Sequence, residues 1–551
     1  MVRFRGWATA LGEVAQSGPL RRAQASFGAM WASETAFMVG LAVVAFRDGG
    51  VVAVGVVTGA RMAAAALIAP LLATVADRVR RERVLTGVAL VRAVLLAAAA
   101  AVTAADGPAA ATYALAVVAT VALTLFRPAH SALLPALCVS PRQLTSANAV
   151  RGMLDSLATL GGPGLAAVLL AATGPAAVLA ACAATALLAG LLVVGLPYDA
   201  PPRTQTETTS AGTLQGFATI RADRGLTLIT ALGVAQTFTR GALTVLTVVV
   251  AIDLLDTGDP GVGVLNAAVG AGGVLGSVVA FALVGRGGLA GWLGVGIALF
   301  GAPVAVVGLA PEQAVAIVLL GLVGVGNALI DVGGFTLLAR LADETVLARM
   351  FAGFEAILTL GVAAGALATP LIVELIGIRP TLVGIGLLAP LAVAASWPAL
   401  RRLDGRMRVR DADIEVLRGV GMLSALPVVT IEQLGGGLEH AAFPPSATVF
   451  RQGDPGDGFY VVEGGGAEVV LDGRVVRTLG RGDGFGEIAL LRDSPRTATV
   501  RAAADEELRV GVIRRGAFLT AVTGYPAAAT VGEALASSRL EADAERLPPA
   551  H

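Results

Sequence analysis

Residues 482–502 read GDGFGEIALLRDSPRTATVRA, and several of them suit one kind of ligand. Gly486 has no side chain, so a bound group can approach the backbone closely there. The turn Glu487 to Leu491 fits a single helical turn whose unpaired amides and positive dipole end face an incoming anion. Within it, Ile488, Ala489 and Leu490 contribute backbone, and small Ala489 and Ala498 leave room. Arg496 supplies a rigid planar fork of donors that matches a singly charged phosphodiester. Glu487 can accept hydrogen bonds from a sugar hydroxyl. Each element alone is common in loops; together they describe a pocket for a small phosphate ester.

The surrounding residues must hold that loop, and their pattern is one of short strands cut by turns. Strands fit 448–451, 459–463, 467–471, 474–479, 497–502 and 507–513, with Asp472-Gly473 as a hairpin signal. Helices fit 413–426, 515–523 and 527–541, and Thr430-Ile431-Glu432-Gln433 reads as a capping box opening another. The expectation is a small α+β β-roll with flanking helices, large enough for its own core.

The chain in front of it is different. Of 551 residues 56% are hydrophobic and only 15% charged, against roughly 25% in soluble domains. A span needs about 20 apolar residues to cross about 30 Å of hydrocarbon. Twelve runs qualify, from 27–46 and 51–75 through 84–105, 109–134 and onwards to 380–398, six on each side of a polar stretch at 199–224. The fold class expected is therefore a polytopic all-α bundle of 12 transmembrane helices in two six-helix halves, followed by the cytoplasmic β-roll. Its parts are 1–26, an N-terminal segment; 27–198 and 225–398, the two halves; 199–224, the central loop; 399–412, a basic linker; and 413–551, the roll, with its core at 422–541.

Charge sets the orientation. There is no lysine, and 40 basic against 40 acidic residues give zero net charge, which argues against a nucleic-acid partner. Arginines crowd one set of loops, while the opposite set carries two, Arg47 and Arg379. The positive-inside rule then places both termini in the cytoplasm of a multi-pass protein of the cell membrane, with the lipid bilayer as its partner. The N-terminus has no cleavage-site pattern and is expected to be retained. Cys138 and Cys182 fit small buried hydrophobes. With three histidines and no metal-ligand spacing, neither a metal, a cofactor nor an enzyme is expected.

Ionisable groups at membrane depth usually face the bundle interior and a partner. Glu34, Arg61, Arg92, Arg127, Asp155, Arg240, Asp331 and Glu355 are the candidates. Glu34 is favoured as a proton-coupling acid because it lies in the first span, and Arg92 is discounted as close enough to a span end to reach the interface. Asp155 and Glu355 sit in matched segments, GMLDSLATLG at 152–161 and GFEAILTLG at 353–361, which suggests duplication of a half. His130 reads as a hydrogen-bonded structural histidine.

The membrane part resembles the major facilitator superfamily. Asp77, Arg78 and Arg81 match the charged residues of that family's loop between spans two and three, although Ala73 and Arg80 replace its glycines. Gly161-Gly162-Pro163-Gly164 resembles the family's Gly-Pro-Gly bend, and FRPAHSALLPALCVSPRQLTSANAV at 126–150 looks like the drug, macrolide and siderophore exporter branch. The resemblance implies proton-coupled export of an amphipathic small molecule, with Asp77, Arg78 and Arg81 as a gating loop.

The roll resembles cyclic nucleotide-binding domains through Phe485-Gly486-Glu487-Ile488-Ala489-Leu490 and Pro495-Arg496-Thr497-Ala498-Thr499-Val500, with VFRQGDPGDGFYVVEGGGAEV at 449–469 matching their first strands. It implies cyclic AMP or cyclic GMP as a regulatory ligand. Glu487 would take the ribose 2′-hydroxyl, while Arg496 and the amides near Ala489 and Leu490 would take the phosphate. Thr497 would reach the phosphate or a guanine, which leaves the base open. No aromatic follows Tyr525, so Leu535 or Leu540 is expected over the base. The chain ends at His551 without a helix-turn-helix, so direct DNA control is not expected. The alternatives are a tethered nucleotide sensor with little transport, and a transporter whose roll serves assembly only.

Overall fold

The computed structural model describes residues 12, 14–76, 79–138, 141–196, 217–283, 288–341, 344–426, 428–523 and 526–545. They form two compact units, Met1–Arg401 and Arg402–His551.

The first unit is helical. Its elements are α1 (Gly18–Ala76), α2 (Arg81–Ala104), α3 (Ala109–Leu123), α4 (Phe126–Leu137), α5 (Pro141–Ala172), α6 (Pro175–Val193), α7 (Arg224–Val249), α8 (Gly258–Leu283), α9 (Leu289–Leu309), α10 (Gln313–Leu341), α11 (Glu344–Ile376) and α12 (Ile378–Gly419). Among the described residues, eleven helical stretches are long and apolar enough to cross a membrane. The first, Gly18–Ala76, is two helices joined at Gly49-Gly50, whose dihedrals are non-helical, so it holds both of the first two expected spans. The expected span 109–134 is in turn divided between α3 and α4.

Large apolar side chains face outward, Leu309 and Leu375 each 72% exposed, which suits lipid and not water. Helix contacts inside rely on small residues, because lipid gives helices no hydrophobic reason to associate. A Cβ on Gly272 of α8 would sit 1.7 Å from the Gly321 carbonyl of α10, and one on Gly241 of α7 would sit 2.0 Å from the Val362 carbonyl of α11. The two halves meet in the same way: Gly55 of α1 lies against Ala366 and Pro370 of α11, and Gly263 of α8 against Pro163 and Ala167 of α5.

The second unit begins with the last turns of α12, so 399–412 and the expected 413–426 helix are largely one continuous helix and not a loop followed by a new start. Helix α13 (Val428–Gly436) begins before Thr430, which therefore is not its cap. The strands are β1 (Glu439–Phe443), β2 (Thr448–Phe450), β3 (Gly458–Gly464), β4 (Ala467–Leu471), β5 (Arg474–Leu479), β6 (Gly484–Phe485), β7 (Thr499–Ala502) and β8 (Leu508–Arg514). They pair antiparallel in two sheets, ordered β1-β8-β3-β6 and β2-β7-β4-β5. The Asp472-Gly473 hairpin has positive φ at both residues, the twist a tight two-residue turn requires.

Strand β3 is apolar on both faces because it separates two cores. Tyr460 and Val462 pack between the sheets with Val469, Phe485, Val500 and Val510. Phe459 and Val461 pack outward against helices, meeting Leu417, Leu423, Ile431 and Phe518. Helices α14 (Glu487–Leu491), α15 (Arg515–Thr523) and α16 (Pro526–Glu545) complete the roll.

The close helix approaches can be tested in detergent by thermal unfolding. Replacing helical glycine by alanine gains about 1 kcal/mol of propensity. Gly87→Ala, whose Cβ would meet nothing within 4 Å, should therefore hold or raise the melting temperature, and Gly272→Ala should lower it by several degrees. Equal melting of Gly272→Ala and the wild type would refute this packing.

Candidate functional site

The loop between β6 and β7 builds a cavity wall from local conformation. Gly486 has φ +91°, which other residues adopt only under strain, and a Cβ there would also lie 2.5 Å from Arg496 Nη1. This left-handed residue turns the chain so that Glu487 opens α14 at the cavity. Arg496 is 2% exposed. Its Nη2 donates to Asp457 Oδ1 (2.6 Å) and to the Gly458 carbonyl (2.9 Å), and its Nη1 donates to the Gly486 carbonyl (3.0 Å). The guanidinium lies over the Phe450 ring at 4.1 Å, a cation–π contact that replaces part of its lost hydration. Among the described residues its Nε has no hydrogen-bond partner.

Glu487, 1% exposed, is the second buried charge. Its partner is Arg539 of α16, whose Nη1 donates to Glu487 Oε1 (2.8 Å) and to the Gly484 carbonyl (2.7 Å). Gly486, Glu487, Ile488, Ala489, Arg496, Thr497 and Ala498 all line the cavity, while Leu490 is buried behind α14. Thr497 is exposed. From α16 the lining residue is Arg539, in place of the expected Leu535 or Leu540. Arg539, Phe450 and Asp457 were missed by sequence reasoning. Asp457 falls in GDPGDG, a turn already marked by its glycines; nothing local marks an arginine in an ordinary helix. Burial raises the Tyr460 hydroxyl pKa, with nearby Asp457 adding to it, so the phenol beside Arg496 stays neutral.

The membrane charges separate into two groups. Glu34 accepts from Arg61 Nη2 (3.2 Å) and Arg92 Nη2 (2.7 Å), while Arg61 Nε also bonds Thr120 and Arg92 Nη1 bonds the Ala119 carbonyl. Both guanidinium groups lie over Phe37. Arg92 is 0% exposed, so the expectation that it reaches the interface is wrong: its helix α2 turns it inward onto Glu34. Two cations thus share one carboxylate with little access to water.

The other group has more exposed side chains. Arg127 pairs with Asp155 (2.9 Å), both partly exposed, and stands over Trp31 at 4.8 Å. Asp331 accepts from Asn327 (3.1 Å), and Arg240, Asp155, Arg127 and Glu355 all lie within electrostatic reach of it. Charges on α4, α5, α7, α10 and α11, from both halves, therefore converge on one accessible region. His130 is fully buried with its Nε2 3.1 Å from the Ala23 carbonyl, as a structural histidine would be. Cys138 and Cys182 are free. Asp77 and Arg78 lie outside the described residues; Arg81 opens α2.

Residues 25–286 match the family model for the Major Facilitator Superfamily, and residues 441–525 match that for the cyclic nucleotide-binding domain. Two curated relatives are cAMP-dependent protein kinase regulatory subunits. The one from Emericella nidulans is 38% identical over 115 residues, 20% of this chain and 27% of the relative. The one from Yarrowia lipolytica is 40% identical over 118 residues, 21% and 31% of the two chains. The chain thus spans about 30% of these relatives' length or less. A solved structure of the nucleoside transporter NupG matches with a TM-score of 0.60 at 12% identity, over 69% of this chain and 99% of that one, a likeness of fold. The chain therefore joins a helical region that matches the major facilitator model over 25–286 and has a fold like that of NupG to a β-roll that matches cyclic nucleotide-binding domains.

Removing one partner of a buried ion group leaves the others uncompensated, at a cost of about 3–5 kcal/mol. Glu34→Gln should accordingly lower thermal stability in detergent strongly, while Asp155→Asn, at a partly exposed pair, should change it little. The reverse order would overturn the division into a closed clamp and an open group.

Proposed function

We propose that this chain is a secondary transporter whose cyclic nucleotide-binding domain senses cyclic AMP or cyclic GMP and biases the transport cycle. One observation carries the sensing part: a buried arginine and a buried glutamate, Arg496 and Glu487, line the same cavity, each held by its own counter-charge. In this reading Arg496 and the backbone of Gly486, Ile488, Ala489 and Leu490 hold the cyclic phosphate. Glu487 binds the ribose 2′-hydroxyl, and Thr497 contacts the phosphate or base.

Nucleotide entry meets Arg539 on Glu487. A ribose hydroxyl must share or displace that ion pair, which ties occupancy to the position of α16. The chain path from the roll to the membrane is helix α12, continuous from Ile378 to Gly419. Coupling between two sites is typically about 1–3 kcal/mol, enough for a several-fold change in transport.

For transport, the reading is proton-coupled export of an amphipathic small molecule at the cell membrane, termini in the cytoplasm. Asp331 and Glu355 are the proton-carrying candidates, with Asp155, Arg127 and Arg240 as their charged neighbours. What supports this is their accessibility and their origin in both halves, which alternating access requires of a shared site. Glu34 and Arg61 serve the closed clamp instead, because protonating Glu34 would strand two buried cations. Asp77, Arg78 and Arg81 remain the proposed gating loop.

Calorimetry on the purified full chain should show one nucleotide site, and Arg496→Ala should weaken it by at least tenfold. Equal binding by that variant would remove the sensor assignment. In proteoliposomes carrying a proton gradient, cyclic nucleotide should change substrate flux several-fold and Asp331→Asn should abolish proton-driven flux. A flux insensitive to nucleotide would leave binding without regulation and overturn the coupled reading.

A further inference from the structure

A second cluster of chemistry-bearing side chains lies in the roll, away from the nucleotide cavity. Asp413 comes from the last turns of α12, His440 from β1 and Glu463 from β3, and one donor atom of each lies within 4.8 Å of the other two. The sheet register explains how they meet. His440 pairs with Gly511 of β8, and β8 in turn pairs with β3. A Cβ on Gly511 would lie 2.8 Å from Glu463 Oε1, so only glycine there lets Glu463 cross the neighbouring strand to reach His440.

The ring of His440 has a carboxylate at each nitrogen. Nδ1 is 2.8 Å from Glu463 Oε1, a normal hydrogen bond in which the ring N–H donates. With Nδ1 turned to Glu463, Nε2 is the ring nitrogen left to meet a metal ion. Nε2 in turn faces Asp413 Oδ2 at 3.6 Å, too far for a hydrogen bond. Two ligand atoms each about 2.0–2.1 Å from a tetrahedral ion lie about 3.4 Å apart, close to this gap. The Asp413 side chain is 12% exposed and its carboxylate faces the ring, while the His440 side chain is 46% exposed, which leaves water free to complete a coordination shell.

We propose that Asp413, His440 and Glu463 form a binding site for a divalent transition-metal ion of the zinc class. The imidazole and the Asp413 carboxylate ligate, and Glu463 orients the ring or joins as third ligand. The two carboxylates carry two negative charges, the complement of a divalent cation, and mixed nitrogen and oxygen donors suit zinc over magnesium or calcium. The ion would fasten the end of α12 to β1 and β3, stiffening the segment through which the roll is attached.

Co²⁺ titration of the full chain in detergent, prepared without a histidine tag and stripped with EDTA, tests this through the visible absorption of the bound ion. One equivalent should bind saturably and be displaced by Zn²⁺. His440→Ala should abolish that equivalent, and Glu463→Gln should weaken it at least tenfold, the usual cost of losing an orienting partner. Asp413→Asn, nearly isosteric, should lose it while keeping the wild-type unfolding curve. The proposal is overturned if the wild type shows no saturable Co²⁺ band, or if His440→Ala titrates as the wild type does.

Discussion

A charge withdrawn from water must be met by an opposite charge or dipole, and this requirement shapes each functional region of the chain. Glu34 is held by Arg61 and Arg92 over Phe37, Arg496 by Asp457 and two carbonyls over Phe450, and Glu487 by Arg539. The three differ in what surrounds them. The Glu34 group is enclosed on all sides and stabilises one arrangement of α1, α2 and α3. Arg496 and Glu487 are as deeply buried but line a cavity.

The bundle applies the same constraint to backbone. In hydrocarbon every amide must bond within its own helix, so helices can vary only in how closely they approach. Glycines at Gly241 and Gly272 bring backbones together within a half, and Gly55 and Gly263 bring the halves together along α1–α11 and α5–α8. Such contacts bring backbones close through small residues, as helix association in lipid favours. The charges Arg127, Asp155, Arg240, Asp331 and Glu355, drawn from both halves, interact with one another.

Much of this was legible in order along the chain. The bilayer demands long apolar runs, so the spans stood out, and period-two alternation with Asp472-Gly473 located β4 and β5 to the residue. Strand β1 was missed because EHAAF carries two polar residues and no β-branched one, and β6 because two residues have no period. Gly49-Gly50 read as a break between spans, and non-helical dihedrals there divide α1 into two helices. Arg92 was misjudged because a position within a span says nothing about which way its side chain turns.

By itself, the sequence determined the local pattern: apolar length for the long helices, and the Phe485 to Val500 motif for a β-roll that matches cyclic nucleotide-binding domains. These follow from rules that act within about 20 neighbouring residues. Tertiary structure alone decided the pairings: Glu34 with Arg92, 58 positions apart; Glu487 with Arg539, 52 apart; and the meeting of Asp413, His440 and Glu463. A counter-charge is chosen by proximity after folding, and nothing in the covalent order of the chain records it.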